Sequence, residues 1–183
     1  MMGGEHQTFQ KVARSVDDWI PKKAYRKEKK FQNELQQYLD ERLNSGGGDG
    51  LLGGFGGGTG ETYVVSKERG NANGDIVVND VVGIELKRDL TNSQIKKLRG
   101  QIEEYRDNYP YVIACACGVK DVDGWRRLQS KYDQQGGMGM GGGLGDQRGQ
   151  VTFMWKRKEN FGNSSGGGSG GGSFGSGGGL FDL

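Results

Sequence analysis

The sequence predicts an α/β fold, a mixed sheet flanked by helices, and three observations point to it. Two short apolar runs, Ile76 to Val78 and Val81 to Leu86, are joined by a turn and read as a strand hairpin. On either side of them, apolar residues recur at the three- and four-residue spacing of an amphipathic helix. Beyond the second helix, Tyr111 to Ala116 is an unbroken apolar run of the kind found in a strand buried on both faces.

Taken in order, residues 1–20 read as a flexible leader, which carries the single histidine, His6. Phe31, Leu35, Tyr38, Leu39 and Leu43 then define a helix of about three turns that ends before Ser45 and Gly46. Glu34 flanks its apolar stripe. A strand is expected over Thr62 to Lys67, followed by the hairpin. Thr91-Asn92-Ser93-Gln94 fits a capping box with Thr91 as N-cap, and Ile95, Leu98, Ile102 and Tyr105 form the buried face of the helix it opens. Gln101 falls within that face, where a polar side chain needs a hydrogen-bonding reason. The helix closes near Asn108 to Pro110; after the apolar strand come a helix over Val122 to Asp133 and a strand over Gln150 to Lys156.

The hairpin carries the chemistry. Successive strand residues alternate faces, so Glu85 and Lys87 project together while Ile84 and Leu86 point the other way. A two-residue turn at Asn79-Asp80 would pair Asp75 with Ile84 and leave it on the wrong face. One extra residue, as a bulge at Gly83 or a three-residue loop, restores the parity and gathers Ile76, Val78, Val82, Ile84 and Leu86 on one apolar face. Asp75, Glu85 and Lys87 then converge on a site suited to hard divalent cations and a water, the apparatus of phosphodiester cleavage. The plainer alternative is an ordinary hairpin with charged residues on its solvated side.

Glycine sets the domain organisation. Of 37 glycines, ten lie in 46–60, eight in 136–149 and eleven from 162 onward. These stretches hold too little apolar surface to offset their ordering entropy and read as flexible insertions and a tail. One domain over 21–161 is expected, with a tail over 162–183 that ends in a Leu180-Phe181-Asp182-Leu183 tip. The net charge of +2 gives no strong basic footprint, yet Lys22, Lys23, Arg26, Lys27, Lys29 and Lys30 cluster before the first helix. Cys115 and Cys117 alternate on one strand without metal-ligand spacing, so buried packing is expected. With no secretory or membrane-spanning run, a reducing cytoplasm is the expected compartment and no membrane partner is expected.

The pattern Gly74-Asp75-Ile76-Val77-Val78 with Ile84-Glu85-Leu86-Lys87 resembles the signature of the PD-(D/E)xK, restriction-endonuclease-like nucleases. The α-β-β-β-α-β core of that superfamily matches the order of elements read above. Gln101 and Tyr105 resemble the QxxxY element of its RecB-like branch, and Glu34 stands where several members carry a further acid. Asn73-Gly74 replaces the proline before the acid, and the cluster-binding cysteines and helicase motifs of some relatives are absent. The resemblance spans about Lys27 to Gly118.

It implies Mg²⁺ or Mn²⁺ held by Asp75, Glu85, the Leu86 carbonyl and Glu34, with Lys87 acting on the attacking water or the scissile phosphate. It gives Gln101 a place in the catalytic set and Tyr105 one at the nucleic acid, while the basic run itself makes Lys27 and Lys30 candidate phosphate contacts, with a solvated helix face as the plainer alternative. The function it implies is a metal-dependent nuclease acting on DNA in repair, recombination or mobile-element processing. Likeness to Holliday-junction resolvases adds a homodimer and branched DNA to the expectations; the exonuclease-like Gln-Tyr element pulls the other way, and single-stranded DNA stands beside branched DNA as an expected partner. Two other classes remain open at the level of sequence. One is a nucleic-acid-binding module that does not cut. The other is an interaction protein working through its Gly-rich tail, whose tip recruits a protein partner.

Overall fold

The computed structural model describes residues 2–45, 62–67, 75–136 and 149–162. It contains helices α1 (Met2–Asp18) and α2 (Glu28–Asn44), strands β1 (Val65–Ser66), β2 (Ile76–Val78) and β3 (Val82–Leu90), and helix α3 (Asn92–Asn108). Strand β4 (Tyr111–Val119), helix α4 (Val122–Gly136) and strand β5 (Gln150–Lys156) complete it, before a 3-10 turn at Lys158–Asn160. The five strands form one mixed sheet in the order β1-β2-β3-β4-β5. β1, β2 and β3 run antiparallel, whereas β4 is parallel to β3 and β5 to β4.

Alternation along the strands sorts the core into two layers. Ile76, Val78, Val82, Ile84, Leu86, Ile113 and Cys115 point to one face, against Phe31, Leu35 and Leu39 of α2 and Phe9, Val12 and Val16 of α1. On the other face Ala114 and Ala116 meet Ile95, Leu98 and Ile102 of α3 and Trp125 and Leu128 of α4. Val77 and Val112 pack there against Tyr105 and Tyr109. Cys115 and Cys117 are buried free thiols, and burial pushes the Cys117 thiol well up.

Helix α3 starts where its capping box places it, with the Thr91 N–H donating to Gln94 Oε1 at 2.9 Å. The hairpin register pairs Ile76 with Ile84, Val77 with Gly83 and Val78 with Val82. A three-residue loop, Asn79-Asp80-Val81, therefore joins the strands, and Asn79 and Asp80 take φ of 54° and 55°. Gly83 pairs regularly with no bulge; a Cβ there would stand 2.6 Å from the Tyr109 ring and 3.3 Å from that of Tyr105. Glycine at 83 is what lets both tyrosines lie on β3.

The N-terminal segment departs from expectation. Residues 2–18 are not a flexible leader but helix α1, whose Phe9, Val12 and Val16, with Trp19 just beyond it, are buried. His6 belongs to this helix, its ring 6.1 Å from that of Tyr111. The Gly-rich stretches at 46–60 and 136–149 and the tail at 162–183 with its tip lie outside the described residues, apart from boundary glycines 136, 149 and 162. No helix among the described residues is long and apolar enough to cross a membrane.

Candidate metal and phosphodiester site

The site forms where the sheet becomes ragged. β2 begins at Ile76, opposite Ile84, while β3 runs on to Leu90. Backbone N–H groups along that edge of β3 need acceptors, and two carboxylates supply them. The Leu86 N–H donates to Asp75 Oδ2 at 2.8 Å, and the Arg88 N–H donates to Glu28 Oε2 at 3.0 Å. Because the N–H and C=O of a strand residue leave on the same side, the Leu86 carbonyl shares this edge with Asp75.

Helices close the site from both faces. From α2, Gln32 Nε2 donates to Asp75 Oδ1 at 2.7 Å. From α3, the Tyr105 hydroxyl accepts the Asp75 N–H at 3.1 Å and donates to Glu85 Oε2 at 2.5 Å. Glu85 is wholly buried, and its Oε1 is in ion contact with Lys87 Nζ. Lys87 also lies 3.5 Å from Glu28 Oε1. Thus the Asp75 backbone and the Glu85 carboxylate meet at one tyrosine hydroxyl, and Lys87 joins them through Glu85, an arrangement the three-residue loop allows.

The electrostatics are those of anions crowded out of water. Burial, followed by the negative charge of Glu85, pushes the Asp75 carboxyl up to about 7. Burial also holds Glu85 above the ordinary carboxylate range, against the opposing pull of Lys87. Burial alone would lower Lys87, but Glu85, with Glu28 and Asp75, raises it above its usual value. Lys87 is therefore a firm cation at neutral pH. The Tyr105 hydroxyl is raised far beyond its ordinary value by burial and by Glu85, so it acts as a neutral donor.

This donor set fits a hard divalent cation. Asp75 and Glu85 are close enough for the charge of one to raise the proton affinity of the other. Glu85 Oε1 is enclosed, with the Lys87 ammonium as its ion partner. A doubly charged cation would relieve the repulsion between the two acids. No group of three or more His, Cys, Asp or Glu side chains among the described residues is arranged to hold a metal. Coordination positions beyond the two carboxylates would fall to the Leu86 carbonyl, water and substrate, a division that suits Mg²⁺.

Other expected members lie elsewhere. Glu34 is not in the site: its carboxylate accepts from Trp19 Nε1 at 3.2 Å, the Lys22 N–H at 2.9 Å and the Tyr25 hydroxyl at 2.5 Å, so it ties α2 to the segment after α1. That bond pushes the Tyr25 hydroxyl up to about 12. The acid that α2 does bring is Glu28, in its first turn. Tyr105 is 1 % exposed, so it positions the carboxylates and cannot touch nucleic acid. Lys27 and Lys30 are exposed at the start of α2.

Gln101 lines an open cleft of about 530 Å³ with Glu28, Lys87, Gln94, Lys97, Gly100 and Glu104. Asp75 and Glu85 do not line this cleft; Lys87, which does, connects it to Glu85 through their ion pair. Sequence reasoning missed Glu28 and Gln32. Glu28 lies among the lysines of a basic run, and Gln32 is a polar residue next to the first apolar position of α2.

No protein-family model, no curated protein and no solved structure matches this chain.

Proposed function

We propose that this protein is a metal-dependent nuclease that hydrolyses phosphodiester bonds in DNA, built on a restriction-endonuclease-like core formed by α2, β1, β2, β3, α3 and β4. One observation carries the reading. Asp75, just before β2, and Glu85, on β3, meet at one buried tyrosine hydroxyl, which accepts the Asp75 backbone N–H and donates to the Glu85 carboxylate, with the Lys87 ammonium against Glu85. A plain solvated hairpin has no reason to bury two carboxylates and raise both their proton affinities.

The roles follow from the geometry. Asp75, Glu85 and the Leu86 carbonyl would hold Mg²⁺ or Mn²⁺, which when bound supplies Lewis acidity and a more acidic water. Gln32 and the Leu86 N–H each hold one oxygen of the Asp75 carboxylate and so fix its orientation at the edge of β3. Lys87, held protonated by its acidic neighbours, stabilises negative charge at the scissile phosphate and is not suited to taking a proton from water. Gln101 and Lys97 border the cleft through which a strand would reach Lys87.

The test is cleavage of labelled single-stranded, duplex and branched DNA in Mg²⁺ or in EDTA, beside Asp75→Ala and Lys87→Ala. Cleavage should require the metal and fall by at least about a hundredfold in either variant. DNA bound by the wild type without any cleavage would instead make the protein a binding module on this fold.

A further inference from the structure

Gly100 stands in the middle of α3, where glycine is unfavourable relative to alanine. Other glycines have a visible cause. A Cβ on Gly83 would meet the Tyr109 ring, and one on Gly124 would collide with an Asp121 carboxylate oxygen. A Cβ on Gly100 would meet nothing within 4 Å among the described residues, and Gly100 is exposed. Packing among the described residues therefore gives no reason for glycine at this position. Gly3 and Gly4 also face open space, but they stand in the first turn of α1, where helix ends fray.

What distinguishes Gly100 is its place. It lines the cleft that leads to Lys87 and Glu28. The neighbouring exposed residues Lys96, Lys97, Arg99 and Glu104 carry long side chains, so the missing side chain leaves a notch one residue wide. Glycine permits close backbone approach by a ligand, and the charges say which ligand. The cleft's lining has Lys87 and Lys97 against Glu28 and Glu104, and Lys96 and Arg99 on the half of α3 before the notch tip the approach towards positive charge, which suits phosphates. A gap of one side chain suits the close approach of one sugar–phosphate chain.

Building on the nuclease reading, we infer that a single nucleic-acid strand leaving the carboxylate site packs its sugar–phosphate backbone against α3 at Gly100, with Lys97 as its phosphate contact. Gly100 is then a substrate-contact residue that keeps the cleft open at the expense of helix stability.

The experiment uses the full chain as wild type, Gly100→Ala, Gly100→Leu and Gly4→Ala. Each is measured for thermal midpoint, for binding of a fluorescein-labelled single-stranded DNA oligonucleotide in Mg²⁺ by anisotropy, and for KM and kcat on that oligonucleotide. Gly100→Ala should raise the midpoint by about 3 °C, since nothing obstructs its methyl group. Gly100→Leu should stay at or above the wild-type midpoint yet bind at least about tenfold more weakly, with KM rising to match. Gly4→Ala should leave binding unchanged.

Wild-type affinity in Gly100→Leu would overturn the inference and leave the nuclease reading standing. So would a lowered midpoint in Gly100→Ala, because the space would then be filled, and so would cleavage of duplex by a wild type that does not bind the single strand. A wild type that neither binds nor cuts any DNA would overturn both.

Discussion

Tyr105 is the residue on which the site's geometry turns. Its hydroxyl accepts from the Asp75 backbone and donates to Glu85, so one atom fixes the spacing of both acids. Tyr105→Phe keeps the ring packed against Tyr109 and β3 but leaves the Asp75 N–H and Glu85 Oε2 short of a partner in a buried place. The loss should be about 1–3 kcal/mol in denaturant unfolding. Because the tyrosine hydrogen bond lowers the Glu85 pKa, its removal lets that pKa climb further. The acid limb of the pH–rate profile of DNA cleavage should therefore move to higher pH. A profile that superimposes on the wild type would assign Tyr105 to packing alone. The shared face of Glu85 and Lys87 was legible because strand alternation decides it, whereas the place of Asp75 hung on a loop length that residue types alone did not fix. Glu28, Gln32 and the true place of Tyr105 were not. Which helix residue reaches the sheet edge depends on where the helix axis lies, and helical spacing alone does not say. Glu34 illustrates the point, since it is on the expected helix yet its partners are Trp19, Lys22 and Tyr25.

At the scale of elements, the central hairpin, the two helices beside it and the strands that follow could all be read from periodicity and capping. Helix α1 could not, although Phe9, Val12, Val16 and Trp19 repeat at three- and four-residue intervals. Glycines at its start and a mixture of polar and charged residues between those positions masked a stripe that only its partner explains. The stripe is apolar because α2 and the sheet face it, with Val12 and Val16 fully buried. α1 is thus part of the core, and its removal would expose the side of α2 whose first turn supplies Glu28. Trp19→Ala takes away a buried indole together with its hydrogen bond to Glu34. It should destabilise the protein by about 3–5 kcal/mol, read from the shift in urea midpoint. A loss below about 1 kcal/mol would return this segment to the status of an accessory.

Over the whole molecule, the buried acids tie stability to pH and to metal. Asp75 ionises near 3.8 in an ordinary setting and near 7 in the fold, so the native state holds that proton more tightly than the unfolded chain does. Between those values the unfolded state has lost the proton and the native state has kept it. The Asp75 contribution is therefore complete below about 3.8 and is lost as pH rises through about 7. Glu85, also raised, acts in the same direction. Lys87 is raised as well, but its contribution persists until pH passes its already high value and does not enter this window. In EDTA the contribution of these two acids should favour pH 5.5 over pH 8, and Asp75→Asn should flatten that slope. Mg²⁺ binds the ionised carboxylates, so its stabilising effect should be larger at pH 8, approaching about 2.7 kcal/mol at a hundred times its Kd. Thermal midpoints at the two pH values, with EDTA and with Mg²⁺, decide the matter. If Asp75→Asn leaves the EDTA slope unchanged and Mg²⁺ shifts the wild type equally at both pH values, Asp75 and Glu85 are not a shared cation site.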